Sequence, residues 1–196
     1  MSKLFRLRKS TSGRNAIASA FVALIIALFF AATFSALASE NPIIPNFAKV
    51  ADGVYRGGRP RKAGVYELKR LGIKTIINLD ADTAMQETDD ARDERQWATE
   101  AGIKYIYVPM SPVSTPTTES IDAALRQMLD PANQPVFVHC YRGSDRTGTV
   151  IAAYRITDDG WDIERAYEEM KQYGHAYKVL HNWKEALLPF AERAKR

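Results

Sequence analysis

A single cysteine, Cys140, stands in 196 residues, which excludes an internal disulfide framework and a cysteine-rich zinc site. Histidine is nearly as scarce, and His139, His175 and His181 do not form a metal-ligand cluster. Acidic residues are missing before Glu40, a region that holds Lys3, Arg6, Arg8, Lys9 and Arg14. Without those five, the basic residues fall one short of the 23 acidic ones. The formal charge of +4 thus belongs to the leader, and the remainder has no basic excess calling for nucleic acid. No internal repeat or low-complexity stretch is present. At 46% apolar content the chain can build one core and a short appendage.

Charge is also absent from Ala16 to Ser39, where Phe21–Phe34 is almost continuously apolar. Positive charges directly before such a run leave the downstream chain on the far side of a membrane. A span of ~20 residues is long enough to cross a bilayer. The run also ends in Ala36-Leu37-Ala38, the A-x-A form of a secretory cleavage site. Two readings stay open, a cleaved signal peptide and an uncleaved anchor through residues 16–38. Both export the downstream chain, and a bacterial periplasm is the simplest destination. The chain then divides into a leader (1–39), a linker with Pro42 and Pro45 (40–51) and a folded domain (52–196).

Within that domain, hydrophobic period switches repeatedly between two and 3.6. Strands are expected at Val54–Arg56, Thr75–Leu79, Lys104–Val108 and from Val136. Helices are expected over Lys62–Leu71, stopped by Gly72, and over Arg92–Ala101, stopped by Gly102. A third starts at Thr117 or Thr118 with the stripe Ile121, Ala124, Leu125, Met128, Leu129. A fourth covers Thr147–Thr157, and a fifth is capped by Asp162. The last carries Val179 through Phe190 and bends at Pro189. Asp80–Asp90 and Met110–Thr117 read as loops. Alternating strands and helices predict an α/β domain with a mostly parallel central sheet flanked by helices. Sites on such sheets collect at the carboxyl ends of the strands, where Cys140 falls.

The stretch VFVHCYRGSDRTG, Val136–Gly148, carries the chemistry. An apolar strand runs into the only cysteine, a tight turn comes next, and Arg146 stands at the spacing C-x5-R. A turn of successive backbone N–H groups makes an anion nest, and the following helix points its positive dipole end at the same place. Gly143 admits a backbone conformation that residues with a Cβ resist. Arg146 can hold two phosphate oxygens through its planar fork. These fields also favour a thiolate at Cys140, a nucleophile able to form a phospho-cysteine. His139 is placed to hold the loop by a hydrogen bond, and Thr147 to stabilise the sulfur as a leaving group.

HCYRGSDRTG resembles the signature loop of the cysteine-dependent protein tyrosine and dual-specificity phosphatases. The similarity extends over about residues 50–190. VYRGGRP, KTIINL, YIYVPM and VHCYRGSDRTG follow the order seen in the atypical dual-specificity phosphatases of plants and fungi and their bacterial relatives. The resemblance implies a dual-specificity phosphatase-like fold, Cys140 as nucleophile and Arg146 as phosphate clamp. It implies a cradle from the amides of Tyr141, Arg142, Gly143, Ser144, Asp145 and Arg146, with no metal and no organic cofactor. It also implies a phosphorylated substrate, with phosphotyrosine protein first, extending to phosphoserine and phosphothreonine protein, ahead of inositol polyphosphate or pyrophosphate.

One departure concerns the proton for the leaving group. Many members carry an acid-donating Asp on a loop roughly 30 residues before the cysteine, whereas VPMSPVSTPTTES contains none, its first acid being Glu119. The substitutes are Asp80 and Asp82, just past a strand end, with Glu87 and Asp89 behind them. A leaving group that needs little protonation would ease the problem. From a different class, the missing acid also fits a phosphate-binding module with little turnover. A sulfur-transfer enzyme with a cysteine loop leaves Arg146-Thr147 unexplained.

Overall fold

The computed structural model describes residues 43–81 and 89–195. The chain divides into two units, Met1–Asn41 and Pro42–Arg196. The leader expected at residues 1–39 lies outside the described residues, and so does Asp82. No helix among the described residues is long and apolar enough to cross a membrane.

The elements of the second unit follow the expected alternation. In chain order they are β1 (Ala48–Ala51), β2 (Val54–Gly58), α1 (Lys62–Arg70), β3 (Thr75–Asp80), α2 (Asp89–Glu100) and β4 (Lys104–Met110). Then come α3 (Thr118–Leu129), β5 (Val136–Cys140), α4 (Asp145–Thr157), α5 (Ile163–Gln172), a 3-10 turn (His181–Leu187) and α6 (Leu188–Ala194). The sheet order is β1-β2-β5-β3-β4, with β1 antiparallel and the other pairs parallel. Cys140 therefore ends the central strand.

Two expectations are corrected. The linker read over 40–51 contains β1, which pairs with β2 through a tight turn at Asp52-Gly53, where Gly53 has φ +74°. An Asp-Gly pair between short strands is a strong hairpin signal. The last helix is not one bent rod. A 3-10 segment precedes α6, and Pro189 sits in the first turn of α6, where its missing N–H costs no hydrogen bond.

Side chains of β3 and β5 alternate between two cores, so both sheet faces are covered. Ile76 and Phe137 pack with Val65 and Leu68 of α1 and Ala98 of α2. Ile77 and Val138 pack on the opposite face with Ile121 and Met128 of α3 and Ile151 of α4. Helix α4 is buried almost all round, from Asp145 to Tyr154. That position fixes its N-terminus against the end of β5, where the anion nest is expected.

Candidate active site

The loop between β5 and α4 is held in one shape by backbone constraints. Cys140 is 2% exposed at the strand end. Three residues on, Gly143 has φ +75°, and a Cβ there would lie 2.4 Å from the carbonyl carbon of Gly57. Backbone cannot give way as a side chain can, so only glycine suits this position. Arg56 of β2 donates from Nη2 to the Gly143 carbonyl at 2.8 Å and lies 3.7 Å from the ring centre of Tyr173. Burial pushes Arg56 down to about 10, which still leaves it charged at neutral pH. Asn46 donates from Nδ2 to the carbonyls of Arg142 and Tyr173, at 2.9 and 3.2 Å. The amides of Arg142 to Arg146 meet no protein acceptor among the described residues. This is the state an anion nest needs.

Asp80, at the end of β3, ties three parts of the site together. Its Oδ2 accepts from Nε and Nη2 of Arg59, at 3.0 and 2.7 Å. Its Oδ1 accepts from the amide of Tyr141 at 2.7 Å and lies 3.0 Å from Nη2 of Arg146. The carboxylate is 1% exposed. Both oxygens are thus engaged by arginines or the loop. The reading of Asp80 as proton donor does not suit these surroundings, because its contacts hold the clamp and take up the N–H of Tyr141, which was expected in the cradle. Arg146 also contacts the Met110 carbonyl from Nη1, a long contact at 3.5 Å, and the remaining N–H groups of its guanidinium are left for phosphate oxygens.

A second buried carboxylate braces the loop from behind. Asp145 Oδ1 lies 2.8 Å from Nδ1 of His175 and accepts the Ala176 amide at 2.9 Å. Its Oδ2 accepts from Arg142 at 3.0 Å. Burial pushes this carboxyl up, but His175, the Ala176 amide and Arg142 outweigh it and hold it below the ordinary range. His175 is itself 3% exposed, edge-on to Tyr167. Asp145 is therefore an anchor of the loop, and only its amide faces the anion nest.

The supporting residues are placed less as expected. His139 does not hydrogen-bond to the loop. Its Nε2 lies 2.7 Å from Oε1 of Glu94 on α2, both side chains fully buried, and its ring stacks on Phe137 at 5.6 Å. Burial alone pushes the imidazole down, and the Glu94 carboxylate more than reverses this. Thr147 is fully buried, its hydroxyl without a partner among the described residues. The 111–117 loop, where an acid is missing, folds on itself, with Ser111 Oγ accepting the Ser114 amide at 3.0 Å. Glu119 is in the first turn of α3. Among the described residues no three His, Cys, Asp or Glu side chains gather as a metal site.

Arg56, Asn46, Glu94 and His175 all support the loop, and the sequence singled out none of them as functional. Arg56 had a signal, a charged residue inside a short strand. Glu94 and His175 had none, since α2 and the 174–176 turn carry no motif.

The chain is similar to known proteins. Dual specificity protein phosphatase TpbA of Pseudomonas aeruginosa is 31% identical over 130 residues, covering 66% of this chain and 55% of that protein. Inositol diphosphatase SIW14 of Saccharomyces cerevisiae is 31% identical over 141 residues, covering 68% and 48%. The chain thus spans about half the length of these relatives. The solved core catalytic domain of the S. cerevisiae PP-IP phosphatase SIW14, in complex with citrate, superposes with a TM-score of 0.61 at 27% identity, covering 79% of this chain and 96% of that one. Residues 43–186 match the tyrosine phosphatase family over all the elements that build the site, and the chain belongs to that family.

Proposed function

We propose that the protein hydrolyses phosphomonoesters in two displacement steps through a phospho-cysteine at Cys140. The observation that carries this reading is the loop itself, a cysteine below free amides with Arg146 aimed by Asp80. In the first step Sγ of Cys140 bonds to phosphorus, and the bond from phosphorus to the leaving oxygen breaks. Arg146 and the amides of residues 142–146 hold the three equatorial oxygens, over which the transition-state charge is spread. In the second step water attacks phosphorus, the P–S bond breaks, and the water proton passes to solvent while the thiolate is restored. The hydroxyl of Thr147 is the donor closest in sequence to the clamp for the departing sulfur.

The 111–117 loop carries no acid to protonate the first leaving group and Asp80 is occupied, which leaves Asp82 as the candidate donor. Leaving groups that are stable as anions are therefore favoured, such as the phenolate of phosphotyrosine. Phosphotyrosine protein is the first substrate reading, with phosphoserine and phosphothreonine, whose alkoxides need a proton, behind it. Inositol polyphosphate or pyrophosphate is the second, supported by the basic cleft beside the loop and, for the pyrophosphate, by a leaving phosphate that needs little protonation. Relatives are named for both activities, a dual specificity protein phosphatase and an inositol diphosphatase. Export by the leader, to a bacterial periplasm as a released or anchored domain, rests on its charge pattern and cleavage motif.

The test compares the wild type with Cys140→Ser on an aryl phosphate. Turnover should vanish in the variant while vanadate binding persists. A wild type as inactive as the variant, still binding vanadate, would make the protein a phosphate-binding module instead.

A further inference from the structure

Three successive peptide planes of the catalytic loop have their carbonyls held from one side. The Tyr141 carbonyl accepts the Arg59 amide at 3.2 Å. The Arg142 carbonyl accepts from Asn46 Nδ2 at 2.9 Å, and the Gly143 carbonyl from Arg56 Nη2 at 2.8 Å. A trans peptide is planar, so its N–H points away from its carbonyl. With these carbonyls turned toward residues 46–59, the amides of Arg142, Gly143 and Ser144 point the other way, toward the anion nest. The plane between Arg142 and Gly143 most needs such a hold. Turning it over changes φ of Gly143, and a glycine accepts either sign of φ without steric cost.

The residue that holds this plane lies before β1, in the stretch that reads from sequence as a linker. Asn46 has a left-handed backbone, with φ +50°, which asparagine tolerates better than most residues. Ile44 on one side is 3% exposed and packs with Val65 and Leu68. Phe47 on the other stacks on Tyr55 at 5.9 Å, and the Pro45 carbonyl accepts the Gly58 amide at 2.6 Å. Nδ2 of Asn46 also lies 3.2 Å from the Tyr173 carbonyl and 3.3 Å from Ser144 Oγ, so one amide group joins the loop to the turn after α5.

We propose that Asn46 is a positioning residue for the phosphatase reaction, which turns the Gly143 amide onto the substrate phosphate by holding the Arg142 carbonyl on the opposite side. The inference rests on the phosphatase reading, and it makes the segment before β1 a working part of the site. Arg59 holds its plane through the backbone, and the Arg56 side chain also packs on Tyr173. Asn46 is therefore the hold that a substitution releases most cleanly.

The experiment uses the full chain as wild type, Asn46→Gly, Asn46→Ala and Ile44→Val. Glycine keeps the left-handed backbone without the donor, and alanine removes the donor while adding less freedom to the unfolded chain. NMR with labelled arginine carbonyls and glycine amides observes only Arg56-Gly57 and Arg142-Gly143, the two Arg-Gly pairs of the chain. Vanadate should shift the Gly143 amide in the wild type, and that shift should be lost in both Asn46 variants. Vanadate affinity and kcat/KM on an aryl phosphate should fall about tenfold with it, the weight of one hydrogen bond to an anion. Ile44→Val loosens the same segment through packing alone, so it should lower Tm and leave both constants within about twofold of wild type. A wild-type shift and affinity in a folded Asn46→Gly would overturn the proposal, and so would an equal loss in Ile44→Val. If Asn46→Gly does not fold, Asn46→Ala carries the same test. Failure of the phosphatase reading is seen separately, as absent aryl phosphate turnover by the wild type while vanadate binding still depends on Asn46.

Discussion

Replacing Asp80 by Asn separates a positioning role from a proton-donating one. The carboxylate neutralises two guanidinium groups whose side chains are only 7% and 6% exposed. Removing one partner of a buried ion pair leaves an uncompensated charge and costs about 3–5 kcal/mol. Asn keeps an oxygen for the Tyr141 amide, but its NH2 turns a donor toward arginines that are also donors. At about 2–4 °C per kcal/mol for a domain of this size, Tm should fall by roughly 10 °C. Arg146 loses the carboxylate that aims it, so vanadate affinity and kcat/KM should fall together, by about tenfold or more. Aryl and alkyl phosphates should lose in parallel, because the clamp serves both. A proton donor would behave differently, with alkyl phosphate turnover collapsing while vanadate affinity and Tm stayed close to wild type. Thermal unfolding and steady-state kinetics on the two substrates read all of this. An Asp80→Asn protein with unchanged Tm and vanadate affinity would refute the network.

Asp145→Asn should reshape the acid limb of the stability curve. The folded pKa of Asp145 lies below its unfolded value of about 3.9, so its contribution is present above that pH and is lost as pH falls through the folded value. Urea unfolding between neutral pH and about pH 2 should show a shallower acid decline in the variant, and identical slopes would contradict the anchoring role. Fusing the chain to a reporter active only outside the cytoplasm should give signal with the leader and none after deletion of residues 1–39. A fusion active only in the cytoplasm would rule out export.

Elements with strong period or clear stops were legible in the sequence. The stripe of α3 runs Ile121, Ala124, Leu125 and Met128, all buried, and Thr117 caps it by accepting the Ser120 amide. Gly72 and Gly102, both at positive φ, lie just past α1 and α2. The α4 boundary was read two residues late, because Asp145 and Arg146 look like loop residues until the loop is known to need them buried. The site was legible only where chemistry and chain proximity coincide. Cys140 and Arg146 share one loop, so their spacing exposes them. Asp80 reaches that loop because β3 lies beside β5 in parallel, with Asn78 opposite His139, a register that no local pattern encodes. Glu94 and His175 come from other parts of the fold, so tertiary packing alone brings them to the loop.

The missing acid and the occupied Asp80 bear on each other. A carboxylate that ends β3 beside the cradle can meet a leaving group or hold the clamp, but one pair of oxygens cannot do both in this geometry. Here Arg59 settles the choice, since its paired bonds from Nε and Nη2 occupy Oδ2 while Oδ1 meets Tyr141 and Arg146. Arg59 also lines the cleft, so the residue that fixes Asp80 adjoins the approach to the catalytic loop. A site built this way gives up general acid assistance at Asp80 and gains a rigid, positively charged approach to the cradle. Such an exchange favours substrates that carry several charges and leave as stable anions, since their binding energy and their leaving-group chemistry both match what the arginines supply.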